Sequence, residues 1–253
     1  MSIMAVTSGK GGVGKTFLSA NLAAALAARG ERVLVLDADL GLANLDVVLN
    51  LHPKITLHDV FTGKASLDEA ILPAPGGFSV LLAGSGLVEY SRLTPQVREQ
   101  LEDIIAKVAP RFDRILLDTG AGISDVVLHA ISLADDVLVI ATPEPTSMTD
   151  AYATIKVLAT QQGRRDMRVV VNQVSAAGEG RTIRNQLQLV VDRFVAPHIE
   201  PPLPPIRLEL LGEIPSDASV RAAVQKRHLL LQAMPGAPAS RAIVAIAERL
   251  SAG

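Results

Sequence analysis

Residues 9–16 read Gly-Lys-Gly-Gly-Val-Gly-Lys-Thr, between a short apolar run at 3–7 and an Ala- and Leu-rich stretch at 17–29. A chain that passes from strand to helix through Gly9, Gly11, Gly12 and Gly14 can turn consecutive backbone N–H groups onto one point. Phosphate oxygens suit that point, because the helix that follows adds the positive end of its dipole and its unpaired N–H groups. The backbone of Val13 and Phe17 belongs to the same expected cradle. Lys15 is placed to reach the β- and γ-phosphates, and the Thr16 hydroxyl to ligate Mg²⁺. Average composition yields a Gly-x-x-x-x-Gly-Lys-Thr pattern by chance in about one chain in a hundred, and less often in this context. The loop therefore predicts a bound nucleoside triphosphate rather than a plain glycine-rich turn.

The rest of the chain suits such a site. Its 253 residues are 49% apolar and 20% charged, which fits one soluble globular domain over 1–253 with a sizeable core. Apolar runs fall short of the roughly 18 residues that span a bilayer, and the start lacks the features of a signal peptide. With no cysteine there are no disulfides, thiol nucleophiles or thiolate metal sites. A net charge of −2 gives no general pull toward nucleic acid, so direct nucleic-acid binding is not expected and a cytoplasmic location is. Candidate strands at 3–7, 32–36, 78–82, 114–117, 136–141, 168–172 and near 209–214 alternate with helical stretches. Most are apolar on both faces, which predicts an α/β fold with a mostly parallel sheet flanked by helices on both faces. Ser66 with Glu69 reads as a capping box. Thr94-Pro95 reads as a helix start leading the stripe Val97, Leu101, Ile104, Ile105, Val108, and Gly30 as a helix stop. The proline-rich stretch 197–205 reads as a stiff loop.

Two further strand ends carry acids. Asp37 and Asp39 stand two apart at the end of one run, and Asp118 closes the run Ile115-Leu116-Leu117 before Thr119, Gly120 and Gly122. In an open α/β fold ligands sit at this carboxyl edge. Asn172 and Gln173 end another strand, and an amide there can both donate to and accept from adenine. No guanine-type Asn-Lys-x-Asp follows, which favours ATP. The five histidines have no metal-ligand spacing.

With its second lysine, Lys10, the loop resembles the deviant Walker A loop of the MinD/ParA class of P-loop ATPases. That resemblance implies a sandwich homodimer in which Lys10 reaches the partner's nucleotide and stabilises the transition state, as an arginine finger does. It also implies that Asp39 orients the attacking water, while Asp37 and Asp118 attend the Mg²⁺ held by Thr16. Residues 212–217 (Gly-Glu-Ile-Pro-Ser-Asp), with Pro215 and Asp217, resemble the loop that closes over the base in that class. Beyond the loop, residues 37–46 (Asp-Ala-Asp-Leu-Gly-Leu-Ala-Asn-Leu-Asp), 117–124 and 142–152 (Thr-Pro-Glu-Pro-Thr-Ser-Met-Thr-Asp-Ala-Tyr) are similar to the FlhG (FleN/YlxH) flagellar-number branch. For that branch the implied partners are the GTPase FlhF, flagellar C-ring proteins or a flagellar transcription activator. Members carry an N-terminal extension that stimulates FlhF, and here the first strand starts at about residue 2, so that activity is not expected. The alternatives are a MinD-like division-site ATPase, a ParA-like cargo- or DNA-positioning ATPase, and a metabolic enzyme on the same fold. Ile243, Ile246, Ala247 and Leu250 form one apolar helix face within 239–251. It is either a peripheral membrane anchor on the inner face of the cell membrane or a last helix docked on the sheet.

Overall fold

The computed structural model describes residues 1–40, 44–84, 92–198 and 204–252. Its strands are β1 (Ser2–Ser8), β2 (Val33–Ala38), β3 (Ile71–Pro73), β4 (Ser79–Leu81), β5 (Arg114–Ala121), β6 (Asp136–Ala141), β7 (Asp166–Val174) and β8 (Arg207–Pro215). They form one sheet in the order β3-β4-β2-β5-β1-β6-β7-β8, in which only the β3–β4 pair is antiparallel. The helices are α1 (Lys15–Ala27), α2 (Leu45–Leu49), α3 (Leu57–Phe61), α4 (Leu67–Ala70), α5 (Pro95–Val108), α6 (Asp125–Ser132), α7 (Pro145–Gln161), α8 (Glu179–Phe194), α9 (Ala218–Gln225), α10 (Leu230–Ala233) and α11 (Pro238–Ala252).

Alternate residues of the central strands point into two cores. Ile3 and Ala5 of β1 face α5, α6, α7 and α8, whereas Met4 and Val6 face α1, α9, α10 and α11. Both faces are covered, so the strands carry no polar alternation, as parallel sheets require. Connections from one parallel strand to the next pass through helices, which places every loop that can hold a ligand at the carboxyl edge.

All seven expected strands are present. β5 runs on past the expected end to Ala121, so Asp118 sits inside a strand rather than after one. The unanticipated strand is β3, three residues long and ending in Pro73; a proline is tolerated there because β3 is an edge. The local signals hold. Ser66 and Glu69 form the capping box, Thr94 caps α5 through the N–H of Val97, and the α5 stripe is buried. Gly30 follows α1 with φ +91° and donates to the Ala27 carbonyl. Residues 41–43 of the 37–46 stretch and 199–203 of the proline-rich loop lie outside the described residues.

In this structure the C-terminal helix is docked on the sheet, the second of the two readings of its apolar face. Ile243, Ile246, Ala247 and Leu250 are between 0 and 4% exposed, packed with α1 and the sheet. A Cβ on Gly212 of β8 would stand 2.4 Å from Ile246 Cγ1, so α11 lies as close to the sheet as a glycine permits. Lipid cannot reach this face while the helix is folded in place. Among the described residues no helix is long and apolar enough to cross a membrane. Ile246→Ala is expected to cost about 2–5 kcal/mol of stability, measured by urea unfolding, because it opens a cavity at a closed contact. An unchanged midpoint would mean that α11 is detached in solution.

Candidate functional site

β1 is central, paired with β5 on one side and β6 on the other, and the glycine loop leaves its carboxyl end. Two glycines are dictated by close approach. At Gly9 a Cβ would fall 2.1 Å from the carbonyl oxygen of Asp150 in α7. At Gly14, which has φ +95°, it would fall 2.6 Å from Asn172 Nδ2. α1 then starts at Lys15 with no side-chain cap and no acidic residue in its first turn, so its leading N–H groups are left to an anion. The side chains of Val13 and Phe17 are buried in the core, so these two residues offer the ligand only backbone groups.

Asp118 and Asp39 stand near Lys15, and the third expected carboxylate, Asp37, adjoins both acids. Asp37 of β2 and Asp118 of β5 are register partners, and Asp118 is also paired with Val6 of β1. Both are at most 2% exposed. Asp37 accepts from the N–H groups of Asp39, at 3.2 Å, and Leu45, at 3.4 Å. Asp118 accepts from Ser19 Oγ at 2.9 Å and from the Thr16 hydroxyl. Asp39 lies against the bare face of Gly120, where a Cβ would be 3.3 Å from its Cγ and Oδ1. Gly120 thus makes room for the carboxylate expected to handle water.

The charges here are unbalanced. Burial lowers the Lys15 pKa, opposed by Asp118 and Asp39. Burial, reinforced by the Asp118 charge, raises Asp37 well above the usual carboxylate range. Asp118 is pushed up to about 6, again by burial first, although the Thr16 and Ser19 hydroxyls and Lys15 favour its charged form. One lysine does not neutralise three carboxylates, and a cation would. Hydroxyl and carboxylate oxygens are the donors Mg²⁺ prefers. Among the described residues no group of three His, Cys, Asp or Glu could hold a metal unaided.

Lys10 is held within its own chain. Its Nζ lies 2.6 Å from Glu144 Oε2 and 3.0 Å from Thr146 Oγ1, at the start of α7. The Pro-Glu-Pro-Thr stretch noted in the sequence is thus the resting place of the second lysine. This role was not legible beforehand.

Of the base-binding candidates, Asn172 stands directly against the loop. Asn172 Nδ2 donates to the Val13 carbonyl at 2.8 Å, and its Oδ1 accepts from the Gln173 N–H at 2.9 Å. One N–H and one lone pair of that amide are left for a base. Gln173 is exposed in the left-handed region with φ +62°. β8 brings Pro215 opposite Val174. Asp217 has a task the sequence did not reveal: it caps α9 through the Ser219 N–H at 2.8 Å and accepts from the Ala239 N–H of α11 at 3.1 Å. Those bonds hold its pKa below the usual range. Ser19 was also missed. A serine three residues after Thr16, in a stretch rich in Ala and Leu, was the available signal, and the structure shows it fully buried.

Residues 4–230 match the family described as the CobQ/CobB/MinD/ParA nucleotide binding domain. The antiactivator FleN of Pseudomonas aeruginosa is 42% identical over 250 residues, covering 99% of this chain and 86% of that protein. The flagellum site-determining protein YlxH of Helicobacter pylori is 33% identical over 248 residues, covering 96% of this chain and 80% of that protein. The structure of MinD from Pyrococcus horikoshii complexed with Mg-ADP superposes with a TM-score of 0.76 at 26% identity, covering 98% of this chain and 95% of that one.

Proposed function

The chain belongs to the FleN/YlxH branch of the CobQ/CobB/MinD/ParA nucleotide-binding family of ATPases, and from that premise we propose that it is an ATP-driven dimerisation switch that sets flagellar number or placement. The observation that carries this reading is the convergence of Lys15, Asp37, Asp39 and Asp118 at the mouth of the phosphate loop, with Lys10 parked at its rim.

In this reading the loop N–H groups and Lys15 hold the β- and γ-phosphates. Mg²⁺, bound with ATP, neutralises charge on the phosphates. Thr16 and Asp118 would hold it, with Asp37 supporting from the buried side. Asp39, across from Gly120, orients the water that attacks the γ-phosphate. Lys10 must leave Glu144 and Thr146 to reach a second copy's nucleotide. The pair is partly exposed, 37% and 60% for the two side chains, so releasing it costs only about 0–1 kcal/mol. Release is therefore compatible with assembly driven by ATP. The base is read by Asn172 and Gln173, with Pro215 and the segment capped by Asp217 closing over it. Among partners, the antiactivator role of the P. aeruginosa relative favours a flagellar transcription activator over FlhF or C-ring proteins.

The test is oligomeric state. Asp39→Ala is expected to be a stable dimer with Mg-ATP and a monomer with ADP by light scattering, with hydrolysis reduced at least about tenfold. An Asp39→Ala protein that stays monomeric with ATP, or turns over at the parent rate, would contradict the proposal. Salt-sensitive binding to DNA by the ATP form would favour a ParA-like role instead.

A further inference from the structure

α1 is buried on nearly every side, and most of the positions after its first turn are alanine or leucine. Ser19 stands among them with no exposed surface. A serine inside a helix ordinarily returns its hydroxyl proton to the carbonyl four residues back. Ser19 instead spends it on Asp118 Oδ1 of β5, at 2.9 Å, one helical turn beyond the Thr16 hydroxyl that reaches the same carboxylate. The two hydroxyls do not have equal duties. The Thr16 oxygen is also wanted as a metal ligand, whereas among the described residues the Ser19 hydroxyl is given to Asp118 alone.

We infer that Ser19 is a positioning residue that fixes the Asp118 carboxylate toward the metal of the Mg-nucleotide, and so sets metal affinity without touching metal or nucleotide. The inference rests on the placing of Asp118 at the metal. Groups that orient a metal's ligands in this way typically matter by 10- to 100-fold in affinity.

The experiment measures binding of a fluorescent ATP analogue to the full chain, titrated with Mg²⁺ and repeated in EDTA. Ser19→Ala is expected to raise the half-saturating Mg²⁺ about tenfold while affinity in EDTA stays within about twofold. Ser19→Cys keeps the volume but donates weakly, and it should shift in the same direction. Ser19→Thr restores a hydroxyl and should return the Mg²⁺ dependence toward the parent. A folded Ser19→Ala protein with parental Mg²⁺ dependence would overturn the inference. So would equal losses with and without Mg²⁺, which would mark Ser19 as merely structural. Asp118→Asn distinguishes the premise: if its Mg²⁺ dependence is parental, Asp118 does not serve the metal and the Ser19 role falls with it.

Discussion

Lys15→Ala is expected to weaken ATP and ADP binding by at least about 100-fold, read by isothermal titration at neutral pH. Two effects act in the same direction. The β-phosphate loses a charged donor in a largely buried site, and truncating one partner of such a pair costs about 2–5 kcal/mol, or about 30- to 4,000-fold. Lys15 is also the cation that offsets Asp39 and Asp118. Without it the incoming phosphates face those carboxylates with less compensation, which places the loss in the upper part of that range. The variant should still fold, because the loop's shape is held by backbone contacts: Gly9 against α7 and the Asn172 amide on the Val13 carbonyl. Parental affinity in Lys15→Ala would sink the assignment of this loop to phosphate.

The parts of the site that were legible in the sequence are those whose cause is local. The loop from Gly9 to Thr16 leaves β1 and enters α1 where the sequence puts it, because that geometry follows from residues adjacent in the chain, and Asp37 and Asp39 stand at the end of β2 for the same local reason. The interactions that tune the site are not local. Ser19 meets Asp118 across 99 residues, and Lys10 meets Glu144 across 134, so no window of sequence holds both partners. The C-terminal helix shows a different limit. A face of Ile243, Ile246, Ala247 and Leu250 has the same spacing whether it rests on lipid or on a sheet. The meeting of Ile246 with Gly212, which lacks a side chain to obstruct it, belongs to the docked arrangement and cannot be read from that spacing. Asp217 was legible as a loop acid, yet the bond to the Ala239 N–H that makes it a tie between α9 and α11 exists only once α11 is docked.

Asp118→Asn is expected to stabilise the nucleotide-free protein near pH 7 while weakening its response to Mg²⁺. Asp118 is 2% exposed and its pKa stands at about 6, against an ordinary 3.8. The folded protein therefore binds more protons than the unfolded chain between about pH 4 and pH 6, and by linkage its stability falls as the pH rises through that window. Above pH 6 the full cost of the buried charge is present, about 3 kcal/mol at most. Asparagine keeps an oxygen to accept from Ser19 and Thr16 but carries no charge. Without ligand, Asp118→Asn should thus exceed the parent by about 2–3 kcal/mol at pH 7.5, several degrees in melting temperature. At pH 4 the difference should be small. Asp37, shifted in the same direction, keeps part of the pH dependence in both proteins, which is why the difference between them is the quantity to read. Mg²⁺ with ADP should raise the parent's melting temperature much more than the variant's, since only the parent offers the ion a charged partner at that position. A variant less stable than the parent at pH 7.5 without ligand would show that the Asp118 charge is already compensated by Lys15 and the α1 hydroxyls, and that the site does not await a cation.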